Sequence, residues 1–153
     1  MTALLLTGCG GGPAPSGAAT ADGSAGTAAE GSRPATVTAA SGGAVAVGAP
    51  GGEEYPDVVD VSLTETGDRR YEVAVTMSSP YDSPQRYADA WRVVGPGDEV
   101  LALRELAHDH AGEQPFTRGL SDVSIPADVD LVLVEGRDQA NGWGGQALEV
   151  PVP

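Results

Sequence analysis

Tyr-Glu-Val-Ala-Val-Thr-Met-Ser, at positions 71–78, alternates strictly between large apolar side chains and small or polar ones. Tyr71, Val73, Val75 and Met77 therefore share one face of an extended chain, and the intervening residues share the other. A period of two over eight residues indicates a β-strand with one buried face.

Six further runs of strand character lie around this stretch, and turn-forming Gly, Pro and Asp residues separate them. They fall at 59–63, 87–94, 99–103, 116–125, 131–134 and 147–152. Seven short strands at intervals of roughly 10–15 residues are typical of a β-sandwich. The sequence therefore predicts an all-β fold with a single sandwich domain of about seven strands.

The segment 99–107 also fits another structure. Its Glu, Leu, Ala and Arg residues favour a helix, which Asp98 could cap at its start. The Gly-Pro-Gly-Asp turn at 95–98 favours a hairpin instead. A strand is the expectation, and the helix is the alternative.

Composition divides the chain near residue 54. Residues 8–52 are almost entirely Ala, Gly, Ser, Thr and Pro, and all seven aromatic residues follow them. Such a segment buries too little apolar surface to offset its ordering entropy. We therefore predict a disordered tether over 9–54 and the sandwich over 55–153, with a short edge strand at 44–47 as the one exception within the tether.

The charge excludes several functions. All eight basic residues are Arg, and against 22 acidic residues they give a formal net charge of -14. An acidic surface repels phosphate, so nucleic acid is not an expected partner. The absence of lysine excludes Schiff-base chemistry and a phosphate-binding loop lysine.

The first residues resemble a bacterial lipoprotein signal. An apolar run leads to Leu6-Thr7-Gly8-Cys9, which contains the only cysteine and resembles the lipobox. The resemblance implies that residues 1–8 are the remnant of a signal peptide that begins upstream of Met1. It also implies that Cys9 becomes the lipidated N-terminus, because attached acyl chains hold a protein stably at a membrane.

The domain itself resembles immunoglobulin-like or fibronectin III-like modules. Trp91 lies mid-strand, where such sandwiches keep a core Trp, although the inter-sheet cysteine pair of immunoglobulins is missing. Small exported bacterial proteins with no established activity share similar stretches, at 87–91, 108–110, 113–118 and 141–145. This resemblance implies a fold and a location, and no catalysis.

Both histidines lie in His108-Asp109-His110, with Glu113 three residues later. In an extended segment both imidazoles point the same way, so they could bind copper or zinc with a carboxylate from Glu113 or Asp138. In a helix the two rings would diverge and could not chelate. A polar loop without metal is the competing interpretation.

Asp138, Asn141 and Trp143 form a second candidate site, a binding loop rich in glycine. Trp143 could close one end of the sandwich or be exposed to a partner. Turn chemistry alone could explain Asn141.

No motif for catalysis is present, because the sequence contains neither a Gly-x-Ser-x-Gly nor a Ser-x-x-Lys pattern. We therefore predict a non-enzymatic, lipid-anchored, extracytoplasmic binding or interaction module. Its expected partners are the membrane, through Cys9, and an envelope protein. A copper- or zinc-binding protein that uses the His-Asp-His segment is the alternative, and no other cofactor is expected.

Overall fold

The computed structural model describes residues 43–153, so the predicted signal remnant, Cys9 and most of the predicted tether lie outside the described residues. The described chain consists of strands and turns. The nine strands are β1 (Val45–Val47), β2 (Asp57–Gly67), β3 (Arg70–Ser78), β4 (Ala88–Val94), β5 (Val100–Glu105), β6 (Phe116–Ser124), β7 (Leu131–Asp138), β8 (Gly142–Trp143) and β9 (Ala147–Pro151).

The strands form two antiparallel sheets. The larger has the order β1-β9-β7-β4-β5, with β8 paired to β7, and the smaller has the order β2-β3-β6. The predicted all-β sandwich is confirmed, and all seven predicted strands are present. The two additional strands, β1 and β8, contain only three and two residues.

The core lies between the two sheets. The alternating face of β3 is fully buried, since Tyr71, Val73, Val75 and Met77 are all 0% exposed. Trp91 in β4 is likewise 0% exposed. The alternation in the sequence of β3 therefore correctly identifies its buried residues.

The helix alternative at 99–107 is excluded, because β5 pairs with β4 from Val100 to Glu105. The turn before it uses Gly97 and Asp98 at positive φ, with φ values of 81° and 66°. Glycine adopts such angles at no steric cost. Turn chemistry and pairing to a neighbouring strand therefore outweigh helix propensity in this segment.

The alternation in β2 is broken by a bulge. The sequence predicts that Val59, Val61 and Leu63 share the buried face. In the structure Val58 and Val61 are buried, whereas Val59 is 40% exposed. A shift of register between Val58 and Asp60 inserts one extra residue, which moves Val59 to the surface.

The N-terminal boundary of the sandwich also needs correction. Strand β1 lies within the predicted tether, and it pairs with β9 through Val45, Ala46 and Val47. The edge strand anticipated at 44–47 is therefore present, and the ordered fold begins before residue 55.

The segment between β1 and β2 connects the two sheets, and hydrogen bonds at several positions hold it to the rest of the domain. The carbonyl of Glu54 accepts hydrogen bonds from Arg86 Nη2 at 2.7 Å and from Asn141 Nδ2 at 2.9 Å. Asp57 Oδ1 accepts the amide N–H groups of Gly51 at 2.6 Å and Gln146 at 2.8 Å. We call this segment, residues 48–57, the strap.

Candidate functional site

The larger sheet has one face on the core and one that faces away from it. Cross-strand pairing places Arg92 beside Leu103 and Glu135, and Leu133 beside Glu149. We call this surface the outer face. It consists of Val45, Val47, Ala90, Arg92, Val94, Val100, Leu103, Leu131, Leu133, Glu135, Arg137, Trp143, Ala147 and Glu149.

Exposed apolar residues are concentrated on the outer face. Six large apolar side chains of the described residues are well exposed, and five of them lie here. They are Val45 (56%), Val47 (39%), Val100 (47%), Leu103 (45%) and Leu131 (45%). Single exposed apolar residues are ordinary, whereas five on one face make that face a candidate contact surface.

A shallow groove of about 200 Å³ crosses this apolar part of the outer face. Val94, Pro96, Leu131 and Leu133 line it, and Glu149 lies at its polar side. The groove is open to solvent and small beside the usual ligand pocket of roughly 300–1,000 Å³. A groove of this size has room for little more than one side chain.

Trp143 and two arginines form the other part of the outer face. The Trp143 ring lies under the guanidinium groups of Arg92, at 4.1 Å from its centroid, and Arg137, at 5.4 Å. Strand β8 positions the ring, because Trp143 pairs directly with Arg137 of β7. The indole is partly exposed and lies on the sheet rather than closing the end of the sandwich. Trp and Arg are the residue types most enriched at the centres of protein interfaces.

Each of these arginines has a carboxylate partner. Arg137 donates from Nε to Asp89 Oδ1 at 2.7 Å and from Nη2 to Asp89 Oδ2 at 3.0 Å. This hydrogen bonding raises the pKa of Arg137 above its usual value. Arg92 forms an ion pair with Glu135. The cationic groups are thus fixed in position and neutralised locally.

Asp138 and Asn141 do not join Trp143 in one binding loop. Asp138 is only 1% exposed, and it accepts hydrogen bonds from Arg86 Nε and from the backbone amide of Asn141. The Asn141 side chain donates to the Glu54 carbonyl. Both residues therefore hold the strap and the loop after β7, and Trp143 alone of the three predicted residues lies on the outer face.

The structure does not assemble the predicted metal ligands. His110 is 2% exposed and stacks on Phe116 at 3.9 Å between ring centroids. His108 is exposed, and Glu113 forms an ion pair with Arg118. Within residues 43–153 no group of three His, Cys, Asp or Glu side chains is arranged to hold a metal ion.

The buried His110 is expected to make the stability of the domain dependent on pH. Burial, with smaller contributions from Arg118 and His108, lowers the pKa of His110 below 6.5, although Asp82 lies 4.0 Å from its Nδ1. The folded state therefore binds this proton less readily than the unfolded state does. The resulting contribution to stability is complete above about pH 6.5 and is lost as the pH falls through the folded-state pKa.

We therefore expect the urea midpoint of unfolding to fall between pH 7.5 and pH 5.5. The decrease should be smaller in His110→Phe, which stacks on the same ring but cannot be protonated. An equal decrease in both proteins would assign the effect to other groups.

Sequence reasoning missed most of the outer face. Leu131 and Leu133 lie in a run that is apolar at both alternating sets of positions, a pattern typical of a strand buried on both sides. Leu103 and Val100 lie in the segment of mixed helix and strand character. The sequence does contain a signal for this face. These strands carry apolar residues at both alternating sets of positions, although one set is enough to form the buried face.

Comparison with known proteins gives one curated relative. The chain is 40% identical over 94 residues to a protein of Halomicrobium mukohataei named "Putative lipoprotein". The match covers 61% of this chain and 46% of that protein, so the chain spans about half the length of the relative.

No protein-family model matches the chain. No solved structure matches it. None of residues 43–153 forms a helix with the length and apolar character needed to cross a membrane.

Proposed function

We propose that this protein is a lipid-anchored, extracytoplasmic interaction module that contacts a protein partner through the outer face. In this proposal Cys9 carries the lipid, residues 10–42 separate the domain from the membrane, and the sandwich presents the outer face. The relative named "Putative lipoprotein" supports the anchor, as does the lipobox-like Leu6-Thr7-Gly8-Cys9.

The observation that carries the interaction role is the composition of the outer face. Five of the six exposed large apolar residues of the described chain lie there, beside Trp143 and two fixed arginines. Interfaces are enriched in aromatic residues and Arg, and their centres are poor in unpaired charge. The outer face has a Trp and two arginines that are each paired with a carboxylate, on a domain whose seven arginines and 20 acidic residues give it a formal charge of -13.

The strand order supports an immunoglobulin-like relationship. In those sandwiches strands C, F and G are neighbours in one sheet, and strand C contributes a buried Trp. Here β4, β7 and β9 are neighbours, and β4 contributes the buried Trp91. We include this relationship in the proposal as a fold likeness, and it carries no activity with it.

A non-enzymatic role is also part of the proposal. Two carboxylates at the outer face, Asp89 and Glu135, each pair with an arginine, which leaves neither of them poised as a general base. Copper or zinc binding has less support, because Glu113 pairs with Arg118 and His110 is buried against Phe116.

The anchor is tested by replacing Cys9 with Ala in the native gene. We expect the wild-type chain in the membrane fraction, extracted by detergent but not by high salt, and Cys9→Ala in the soluble fraction. Two acyl chains bind a membrane stably, whereas a domain of charge -13 has no electrostatic attraction to an anionic bilayer.

The control is Leu103→Glu, which alters the outer face and leaves Cys9 intact. It should fractionate as the wild type does. Wild-type membrane association that persists in Cys9→Ala would contradict the anchor.

A further inference from the structure

We propose that the partner of the outer face is a second copy of this chain, which packs its own outer face against the first. This inference deepens the proposed function and rests on it, because it names the occupant of the same surface. Two exposed sheet faces can pack about 10 Å apart, as the two layers of a β-sandwich do. A second copy supplies a face of the same composition.

The distribution of charge favours the outer face over the rest of the surface as the site of self-association. Each domain carries a formal charge of -13, so two copies repel each other over most of their surface. On the outer face two arginines balance two of the carboxylates at the same site. Two further acids lie at this surface: Glu149, and Glu105, which pairs with Ala90 at the end of β5. The outer face is therefore a place where two such acidic domains can approach closely.

The available area is near the minimum for a specific dimer. Five neighbouring strands at about 4.8 Å spacing and about 20 Å length cover roughly 500 Å² in projection. Two copies would together bury about 1,000 Å², which is the lower limit for a biological interface. The expected dimer is consequently weak in solution, with a dissociation constant in the micromolar range or above, and anchoring to one membrane would raise its effective concentration.

In the proposed dimer, the groove determines how the two outer faces align. Val94, Pro96, Leu131 and Leu133 line it, and Leu131 is also 45% exposed at its border. In an arrangement with two-fold symmetry, each copy would contribute one groove and one set of protruding side chains. Leu103, on strand β5, is the largest exposed apolar side chain at the opposite side of the face and is the natural counterpart.

Sedimentation equilibrium of the full chain with Cys9→Ser tests the proposal, because this substitution removes disulfide-linked and lipid-mediated association. We expect a reversible monomer–dimer equilibrium between 5 and 500 µM protein. Leu103→Glu and Leu131→Glu should each raise the dissociation constant at least about tenfold, since they place a charge in an apolar contact.

The matched control is Val59→Glu. Val59 is 40% exposed, close to the 45% of Leu103, but it lies on the smaller sheet. It should leave the dissociation constant unchanged. Equal urea midpoints for the three variants would show that a loss of dimer does not arise from unfolding.

Salt gives an independent test. Screening of the repulsion between two acidic copies should tighten the dimer as NaCl rises from 50 mM to 1 M. A basic partner would show the opposite dependence. A monomer at every concentration and salt, or a dimer that Val59→Glu weakens as much as Leu103→Glu does, overturns the proposal.

Failure of self-association is distinguishable from failure of the proposed function. A monomeric chain leaves the anchored module standing if Leu103→Glu, and not Val59→Glu, alters what the membrane-bound protein co-purifies with. If both variants behave as the wild type does, the outer face is not the interaction surface.

Discussion

Asp138→Ala is expected to destabilise the domain by about 3 kcal/mol, a large part of the ~5–15 kcal/mol that holds a typical domain folded. Asp138 is 1% exposed and forms an ion pair with Arg86, whose side chain is 33% exposed. Its Oδ1 also accepts the amide N–H groups of Ala140 at 3.0 Å and Asn141 at 2.8 Å. Removing the carboxylate leaves these donors without a partner.

The loss is measured as the change in urea midpoint followed by far-ultraviolet circular dichroism. Asp138→Asn keeps one acceptor oxygen for the amides and should cost less than Asp138→Ala. Asp122→Asn is the control, because Asp122 pairs with Arg70 at 2.8 Å while its side chain is 78% exposed, and Asn tolerates the positive φ of 64° at this position. Exposed pairs contribute little. If Asp138→Ala were no more harmful than Asp122→Asn, the buried network would not be a main support of the fold.

Trp91→Ala is the second large effect, with an expected loss of about 3–5 kcal/mol. Trp91 is 0% exposed in β4, between β5 and β7, so truncation opens a cavity at the centre of the sandwich. Its indole Nε1 has no hydrogen-bond partner in the described residues. Trp91→Phe should therefore cost much less, because it loses no hydrogen bond and retains an aromatic ring.

Trp143→Ala is the matched variant for this experiment, since Trp143 is partly exposed on the outer face. It should lower the urea midpoint far less than Trp91→Ala. A similar loss for both variants would mean that the outer face contributes as much to stability as the core does.

The sequence predicts the fold where one parity of a strand is clearly apolar. Strand β3 shows this, because Tyr71, Val73, Val75 and Met77 alternate without interruption and are all buried. Strand β2 is less predictable, because its bulge near Val59 depends on pairing to β3, which local sequence does not encode.

The candidate site is less predictable than the fold. Trp143 is a candidate from the sequence, but its contact with Arg92 brings together β8 and β4, which are distant in sequence. The ring centroids of His108 and His110 lie 4.8 Å apart. Burial of one ring against Phe116 could not be inferred from their spacing.

The strap gives the domain a mechanical property. In the proposed lipid-anchored protein, a pull on the domain would enter the described fold at Gly43, where the first resistance would be the three-residue pairing of β1 with β9. The next resistance is the double hydrogen bond to Glu54 and the anchorage at Asp57. Under a pull, β1 would therefore peel away first and release the eight residues from 43 to 50, about 26 Å of extended chain. Beyond that point the strap would resist the pull. The core strands would therefore stay paired while this short segment extends.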